Sequence, residues 1–154
     1  MQVSELYIYP VKSLAGISQT QVKITDRGFE MDRRWMMVDE NGRFITQREY
    51  PRLCLLQTEL VGDSIEVYDA YRDSRVQFPI FLNEGDETRV TIWDDACEAI
   101  SPNTDIHEWF SAFLGIKVRL VYMPEHSRRP VDPDYAIDAD INMQPMIFQQ
   151  HRRR

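Results

Sequence analysis

Cysteine is scarce, with two in 154 residues. Cys54 and Cys97 both sit in apolar, strand-like stretches. There is no CxxC pair and no Cys/His cluster, so no motif marks a metal site built by this chain alone. Two buried thiols fit a reducing, cytoplasmic setting better than a disulfide scaffold. No apolar run approaches the ~20 residues that cross a bilayer, and no membrane association is expected. A strand pattern begins almost at Met1, with no basic-then-apolar leader, so we expect no secretory signal. GxGxxG and the Walker loop are both missing, which removes the commonest dinucleotide and nucleoside triphosphate motifs. The acidic residues form no paired-carboxylate signature. His107, His126 and His151 have no nucleophile partner in the pattern. No complete active site is legible.

An excess of positive charge is also missing. The net charge is −7, which argues against general binding to nucleic acid or to an anionic membrane. The imbalance is uneven. Residues 1–52 carry 8 Lys+Arg against 7 Asp+Glu, whereas residues 53–154 carry 10 against 18. A local basic patch in an acidic chain suits a small anion better than a polyanion. A solvated face of mixed charge would give the same counts.

What is present is a soluble, globular composition. Hydrophobic residues make up 43% and charged residues 28%, enough for one core in one domain. "SELYIYPV" alternates like a strand and ends at Pro10. "TQVKIT" alternates again, and "DRGFEMDR" turns at Gly28. "RWMMVDENGRFIT" reads as a hairpin on Asn41-Gly42, the favoured pair for a type I′ turn. "LCLLQTELVGDSIEVYD" reads as two strands hinged at Gly62-Asp63. "RVQFPIFL" and "ETRVTIWDDACEAI" add further short strands. Strands of this length with turns every ~8–12 residues predict a mainly β protein. The expected form is a distorted antiparallel barrel over residues 1–100.

One helix is predicted at about 103–114. Ile106, Trp109, Phe110, Phe113 and Leu114 share one apolar face. Asn103 or Thr104 would cap its start and Gly115 its end. The three aromatics are expected to be buried. "KVRLVYM" predicts a closing strand at about 117–123. A ferredoxin-like α+β sandwich would need a second helix that the pattern lacks. The domain is therefore drawn over 1–124. Residues 125–154 have no sustained period and are expected to be irregular and disordered, their terminal "HRRR" a solvated end.

Three stretches place cations at strand ends: Lys12 and Ser13 in "YPVKS", Arg33 and Arg34 in "MDRRW", and Thr46, Arg48 and Arg52 in "TQREYPR". Arginine offers a planar fork to phosphate oxygens, lysine a point charge and serine a hydroxyl donor. Convergence would make a phosphate site. Exposed ion pairs, such as Asp32 with an arginine, are the plainer alternative.

The same stretches, with "WFSAFLGIKVRLVY", resemble the N-terminal β-barrel domain of the MOSC proteins. These are the molybdenum cofactor sulfurase C-terminal-like proteins, and they include the mitochondrial amidoxime reducing component. The similarity runs from about Val3 to about Ile137. It implies a module that packs against a MOSC domain, the two enclosing a pyranopterin molybdenum cofactor. By motif, Lys12, Ser13 and Arg33 match residues that hold the cofactor phosphate. Arg34 fills the variable position of DRxW. Thr46, Arg48 and Arg52 match a recurrent segment of structural or peripheral role. Relatives continue after the position of Ile137 into a MOSC domain, where a cysteine ligates molybdenum. This chain reads "DADINMQPMIFQQHRRR" there, and neither Cys54 nor Cys97 matches that ligand.

The resemblance thus implies half of an oxidoreductase that reduces N-hydroxylated compounds. Alone it would not be catalytic. Activity would need a MOSC domain in cis or in trans and an electron-transfer protein. The competing expectation is a non-catalytic β-barrel module, intact or a truncated relic, that binds an anion or a protein. On either view Lys12, Ser13 and Arg33 are expected to converge at one open pocket mouth.

Overall fold

The computed structural model describes residues 2–127. The irregular segment expected beyond Ser127 lies outside the described residues. The described residues run through eleven short strands and one α-helix. They are β1 (Leu6–Ile8), β2 (Ile17–Gln19), β3 (Ile24–Thr25), β4 (Gly28–Phe29), β5 (Trp35–Val38), β6 (Leu56–Val61), β7 (Ser64–Asp69), β8 (Arg75–Pro79), β9 (Asp86–Ile92), β10 (Asp95–Ser101), α1 (Ile106–Leu114) and β11 (Arg119–Tyr122). A mainly β fold with one helix and a late strand is what the pattern predicted. Among the described residues no helix is long and apolar enough to cross a membrane.

The strands form four antiparallel sheets that do not join into one closed ladder. They are β1-β2, β3-β4, β6-β7-β8 and β5-β11-β10-β9. The late strand does close the largest sheet, because β11 sits between β5 and β10. Its pairing with β5 is full, from Arg119↔Val38 to Tyr122↔Trp35. Its pairing with β10 is a single step, Ile100↔Tyr122. The expected barrel wall is instead interrupted between the four sheets, which share no strand.

Strand β5 explains how the core is divided. All four of its residues, Trp35 to Val38, are buried. Side chains alternate across a strand, so Trp35 and Met37 enter one core while Met36 and Val38 enter another. Strand β11 alternates likewise, with Leu120 and Tyr122 on the first side and Val121 on the second. The first core also takes Phe110, Phe113 and Leu114 from α1 and Ile65 and Val67 from β7. Trp35 is its centre. Its ring lies 5.0 Å from both Phe78 and Tyr122, and its indole N–H donates to the Ile80 carbonyl at 3.1 Å. The second core packs Phe44, Val90, Ile92, Cys97, Ala99 and Met123.

Five local expectations need correcting. The turn after β5 is not a two-residue type I′ turn. Gly42 has φ 78, but Asn41 is not among the residues with positive φ. Asp39 widens the loop by accepting from the N–H groups of Asn41 and Arg43, both at 2.9 Å. Residues Pro51–Leu55 form a 3-10 helix, not a strand, because Pro51 at its start presets φ and has no N–H for a ladder. Cys54 is consequently exposed on that turn, while Cys97 is buried in β10. Trp109 is only partly buried, unlike Phe110 and Phe113. Its ring stacks on Phe113 and its N–H donates to Ser74 Oγ at 3.0 Å.

The helix starts at Ile106, later than expected, and its N-cap is Asp105, which makes no side-chain cap bond, in place of Asn103 or Thr104. Thr104 Oγ1 accepts the Ile106 N–H at 3.1 Å from the residue before that cap. Gly115 ends the helix with φ 73, in the left-handed conformation expected of it.

Candidate functional site: a laced segment of cations and aromatics

Two stretches far apart in sequence are laced together. Val11 and Trp35 form a parallel bridge. The Trp35 N–H donates to the Pro10 carbonyl at 3.0 Å, and the Lys12 N–H to the Trp35 carbonyl at 2.8 Å. One step earlier, the Arg33 N–H donates to the Tyr9 carbonyl at 2.7 Å. Pro10 has no N–H to continue a ladder, yet its carbonyl still accepts. Asp32 adds a side-chain bond, with Oδ1 accepting the Tyr9 N–H at 2.7 Å. The backbones of Lys12, Ser13 and Arg33 thereby belong to one unit.

Their side chains meet different surroundings. Lys12 is 3% exposed, and its ammonium lies 4.2 Å from the centre of the Phe44 ring. It is beneath the surface and not at an open mouth, because Val11 and Leu14 on either side are core residues and draw the lysine stem inward. Arg33 is partly exposed. Its guanidinium lies 5.0 Å from the Tyr9 ring centre and pairs with Asp32. The plainer alternative, Asp32 with an arginine, is thus also present. Ser13 is half-buried.

Backbone strain collects in the same region. Ser13 (φ 69), Met31 (φ 67), Arg33 (φ 49) and Trp93 (φ 58) are the non-glycine residues with positive φ among the described residues. Such conformations cost of order 1–3 kcal/mol each and persist where surrounding contacts impose them. Trp93 belongs to the β9–β10 hairpin, and its ring packs edge-on to Phe44 with centres 4.9 Å apart. Phe44 therefore carries the Lys12 ammonium and touches Trp93.

Arg34 points elsewhere. Arg33 sits in a left-handed turn with its side chain partly exposed, whereas Arg34, next to β5, is buried. Its guanidinium donates to the Met123 carbonyl at 2.7 Å and to Glu125 Oε1 at 2.6 Å. It also lies 5.3 Å from the Tyr122 ring centre. Arg27, which the sequence pattern did not single out, joins it. Arg27 donates to the carbonyls of Glu125 and Ser127, the latter at 3.0 Å. Two buried arginines thus tie residues 123–127 to the body of the fold. Burial raises the Tyr122 phenol pKa, while Arg34 opposes that shift.

The "TQREYPR" segment is structural. Thr46 is buried, and its carbonyl accepts from the N–H groups of Glu49 and Tyr50 at 3.1 and 2.9 Å. Arg52 lies 4.9 Å from the Phe113 ring centre.

A cavity of about 550 Å3 opens at another place, lined in part by Glu40, His107, Ser111 and Lys117. Its chemistry is already engaged. His107 Nδ1 accepts the Leu120 N–H at 3.0 Å, which leaves Nε2 protonated toward the Pro102 carbonyl at 2.9 Å. Lys117 pairs with Glu40 at 3.3 Å. Among the described residues, no group of three or more His, Cys, Asp or Glu could hold a metal ion.

Comparison with known proteins gives the family of the chain. The model of the MOSC N-terminal beta barrel domain matches residues 1–117. The chain belongs to that family. The MOSC N-terminal domain is similar to the molybdenum cofactor sulfurase of Drosophila grimshawi, at 30% identity over 138 residues, covering 85% of this chain and 18% of that one. The human molybdenum cofactor sulfurase is 30% identical over 131 residues, covering 82% and 15%. The mouse mitochondrial amidoxime-reducing component 1 is 30% identical over 133 residues, covering 82% and 38%. The chain therefore spans less than a fifth of the sulfurases and under two fifths of the amidoxime-reducing component. A solution structure of a Bordetella bronchiseptica protein matches with TM-score 0.52 at 16% identity, covering 79% of this chain and 95% of that one. It supports the fold alone. The relatives make this a module related to molybdenum cofactor proteins.

Proposed function

We propose that this MOSC N-terminal domain holds the phosphate end of a molybdenum cofactor, with Lys12, Ser13 and Arg33 as its donors. The observation that carries the reading is the lacing of residues 9–12 onto 33–35, which joins two cationic motifs through three backbone bonds. Phosphate needs several donors at once, and each strand end supplies one or two. Arg33 and Ser13 are the side chains within reach of solvent, while Lys12 acts from below through its charge. A cation screened by protein and not by water acts at lower effective dielectric than an exposed one. Ser13 and Arg33 both adopt left-handed backbone conformations, a device for aiming adjacent side chains and N–H groups at one point.

The cations fit a phosphate. By motif neither Cys54 nor Cys97 matches the family's molybdenum-ligating cysteine, so the metal ligand is assigned to a MOSC domain in cis or in trans. The cofactor, when bound, supplies the redox chemistry. This chain's residues anchor and orient it. The whole assembly would reduce N-hydroxylated compounds with an electron-transfer protein as donor. The chain alone would not turn over. Amidoxime reduction by the chain alone, then by the chain mixed with a cognate MOSC domain, tests that division. Turnover by the isolated chain would refute it.

The binding test is a phosphate titration followed by backbone amide shifts. Shifts should cluster at Lys12, Ser13 and Arg33, with affinity of about 1 mM, near 4 kcal/mol. They should weaken with added salt and vanish in Arg33→Ala. Shifts clustering on Arg128, Arg129 and the terminal arginines would overturn the assignment. A second reading, a non-catalytic β module, is favoured by the Asp32–Arg33 pair, since a carboxylate already occupies the arginine. An absence of any phosphate-dependent shift would favour it.

A further inference from the structure

Two arginines that the phosphate reading does not use converge on one carboxylate. Arg27 sits in the turn between β3 and β4, and Arg34 immediately precedes β5. Each residue is only 6% exposed. Glu125 lies between their side chains. Its Oε1 accepts from Arg34 Nη2 at 2.6 Å, and its Oε2 lies 3.7 Å from Arg27 Nε. Two buried positive charges thus share one negative charge. A buried ion without a matching partner is costly, so a further unit of negative charge would stabilise the pair. The carboxylate is also weakly held, since the Glu125 side chain is 73% exposed and screened by water. Nor are the donors used up. Among the described residues, Arg27 Nη1 and Arg34 Nε are buried without a hydrogen-bond partner. Adjacent N–H groups of one guanidinium form a fork that takes two oxygens of one anion. In Arg34, Nη2 is engaged by Glu125, by the Met123 carbonyl at 2.7 Å and by the Tyr122 hydroxyl at 3.4 Å. The Nε arm of that fork is open, and open buried donors are rare enough in folded proteins to point to a ligand.

We propose that Arg27 and Arg34 form a second anion site, separate from Lys12, Ser13 and Arg33, whose ligand is a divalent tetrahedral oxoanion of the size of sulfate. Glu125 is its displaceable occupant. A dianion in that place matches both guanidinium charges, where a carboxylate matches one. A free anion, unlike a tethered carboxylate, can use both arms of the Arg34 fork and still face Arg27 Nε. Displacing the Glu125 side chain strands no buried charge, because that side chain is already mostly in water. The backbone around it stays in place. Arg27 holds the carbonyls of Glu125 and Ser127, and Ser127 Oγ donates to the Glu98 carbonyl at 2.8 Å. Those bonds fix the arginines without competing for the anion, so the site is ordered before the ligand arrives. None of these groups is shared with the Lys12, Ser13 and Arg33 reading, and each site can fail alone.

The experiment titrates sulfate, at constant ionic strength, into the isotope-labelled full chain and follows the arginine Nε–H signals by NMR. Arg27→Lys and Arg34→Lys assign the two signals by their loss. In Glu125→Gln, which removes the competing charge, sulfate should move both signals along one saturable curve. Wild type should give the same shifts at about fivefold weaker affinity, the cost of displacing an exposed ion-pair partner. Acetate carries one charge and should bind Glu125→Gln about tenfold more weakly than sulfate. Arg34→Lys keeps a charge but loses the fork. Read at the Arg27 signal, with a melting curve showing a folded protein, it should bind sulfate about tenfold more weakly. If Arg34→Lys does not fold, the comparison of Glu125→Gln with wild type decides alone. No saturable shift at either signal in Glu125→Gln would overturn the site. So would equal sulfate affinity in Glu125→Gln and wild type, or acetate binding as tightly as sulfate. Sulfate shifts confined to the Lys12, Ser13 and Arg33 amides would also overturn it, and would leave the phosphate reading standing.

Discussion

The Arg33 N–H donates to the Tyr9 carbonyl at 2.7 Å, and the Arg33 guanidinium lies 5.0 Å from the centre of the Tyr9 ring. One residue thus holds the other by its backbone and covers it with its side chain. Asp32 completes the unit, accepting from the Tyr9 N–H and pairing with Arg33. The left-handed turn at Arg33 is imposed by these contacts and is the reason a bulky residue stays there.

Asp32→Ala should therefore cost about 1.5–3 kcal/mol, since it removes a charge-assisted bond to a backbone donor and an ion pair together. Asp32→Asn keeps an acceptor for Tyr9 and should cost less than half of that. Urea unfolding of both variants measures the difference. Equal stability for wild type and Asp32→Ala would mean that the lacing does not depend on this side chain.

Arg34 tests a different part of the fold. Its guanidinium is buried and bonded to the Met123 carbonyl, whereas its carboxylate partner Glu125 is 73% exposed on its side chain. The backbone bonds should matter more than the ion pair, because an exposed carboxylate is screened. Arg34→Ala should cost about 2–4 kcal/mol by leaving the Met123 carbonyl without its side-chain donor and removing a buried guanidinium. Glu125→Gln should cost under about 1 kcal/mol. A Glu125→Gln loss as large as that of Arg34→Ala would reverse this ranking.

Much of the fold was legible because the signals are local. The Gly62-Asp63 hinge, the Gly115 stop and the helix face each depend on neighbours in sequence, and each was read from the residues. The failures have equally specific causes. Asn41-Gly42 looked like a type I′ turn, but Asp39 two residues earlier competes for the same N–H groups. Pro51 made a 3-10 start out of what hydrophobicity alone read as a strand. The burial of Lys12 depends on Phe44, a partner set by tertiary packing. Arg27, Arg34 and Trp93 act through residues far along the chain, and no local pattern marks such partners.

The helix aromatics divide by burial. Phe110 is fully buried against the first core, so Phe110→Ala should cost about 3–5 kcal/mol. Trp109 lies at the edge of that core and holds Ser74 through one hydrogen bond. Its replacement by alanine should cost less, about 1.5–3 kcal/mol. Thermal unfolding of the two variants orders them, and a larger loss at Trp109 would contradict the packing.

His107 should make stability depend on pH in a predictable direction. Burial holds its pKa below the ordinary 6.5, the Arg119 charge acts the same way, and the bond to the Pro102 carbonyl opposes them. The neutral ring is the one the fold requires, because Nδ1 must stay unprotonated to accept the Leu120 N–H. Above pH 6.5 the ring is neutral in both folded and unfolded chains, and its contribution is fully present. As pH falls below 6.5 the unfolded chain takes up a proton that the folded chain does not. Stability then declines, by at most about 1.4 kcal/mol per pH unit for one proton, until pH passes the folded pKa. His107→Gln cannot titrate there. The comparison with the variant is what isolates His107 from every other source of pH dependence. Urea unfolding at pH 7, 6 and 5 should give a steeper decline for the wild type than for His107→Gln. Parallel curves would show that the Leu120 bond survives protonation, and the assigned tautomer would be wrong.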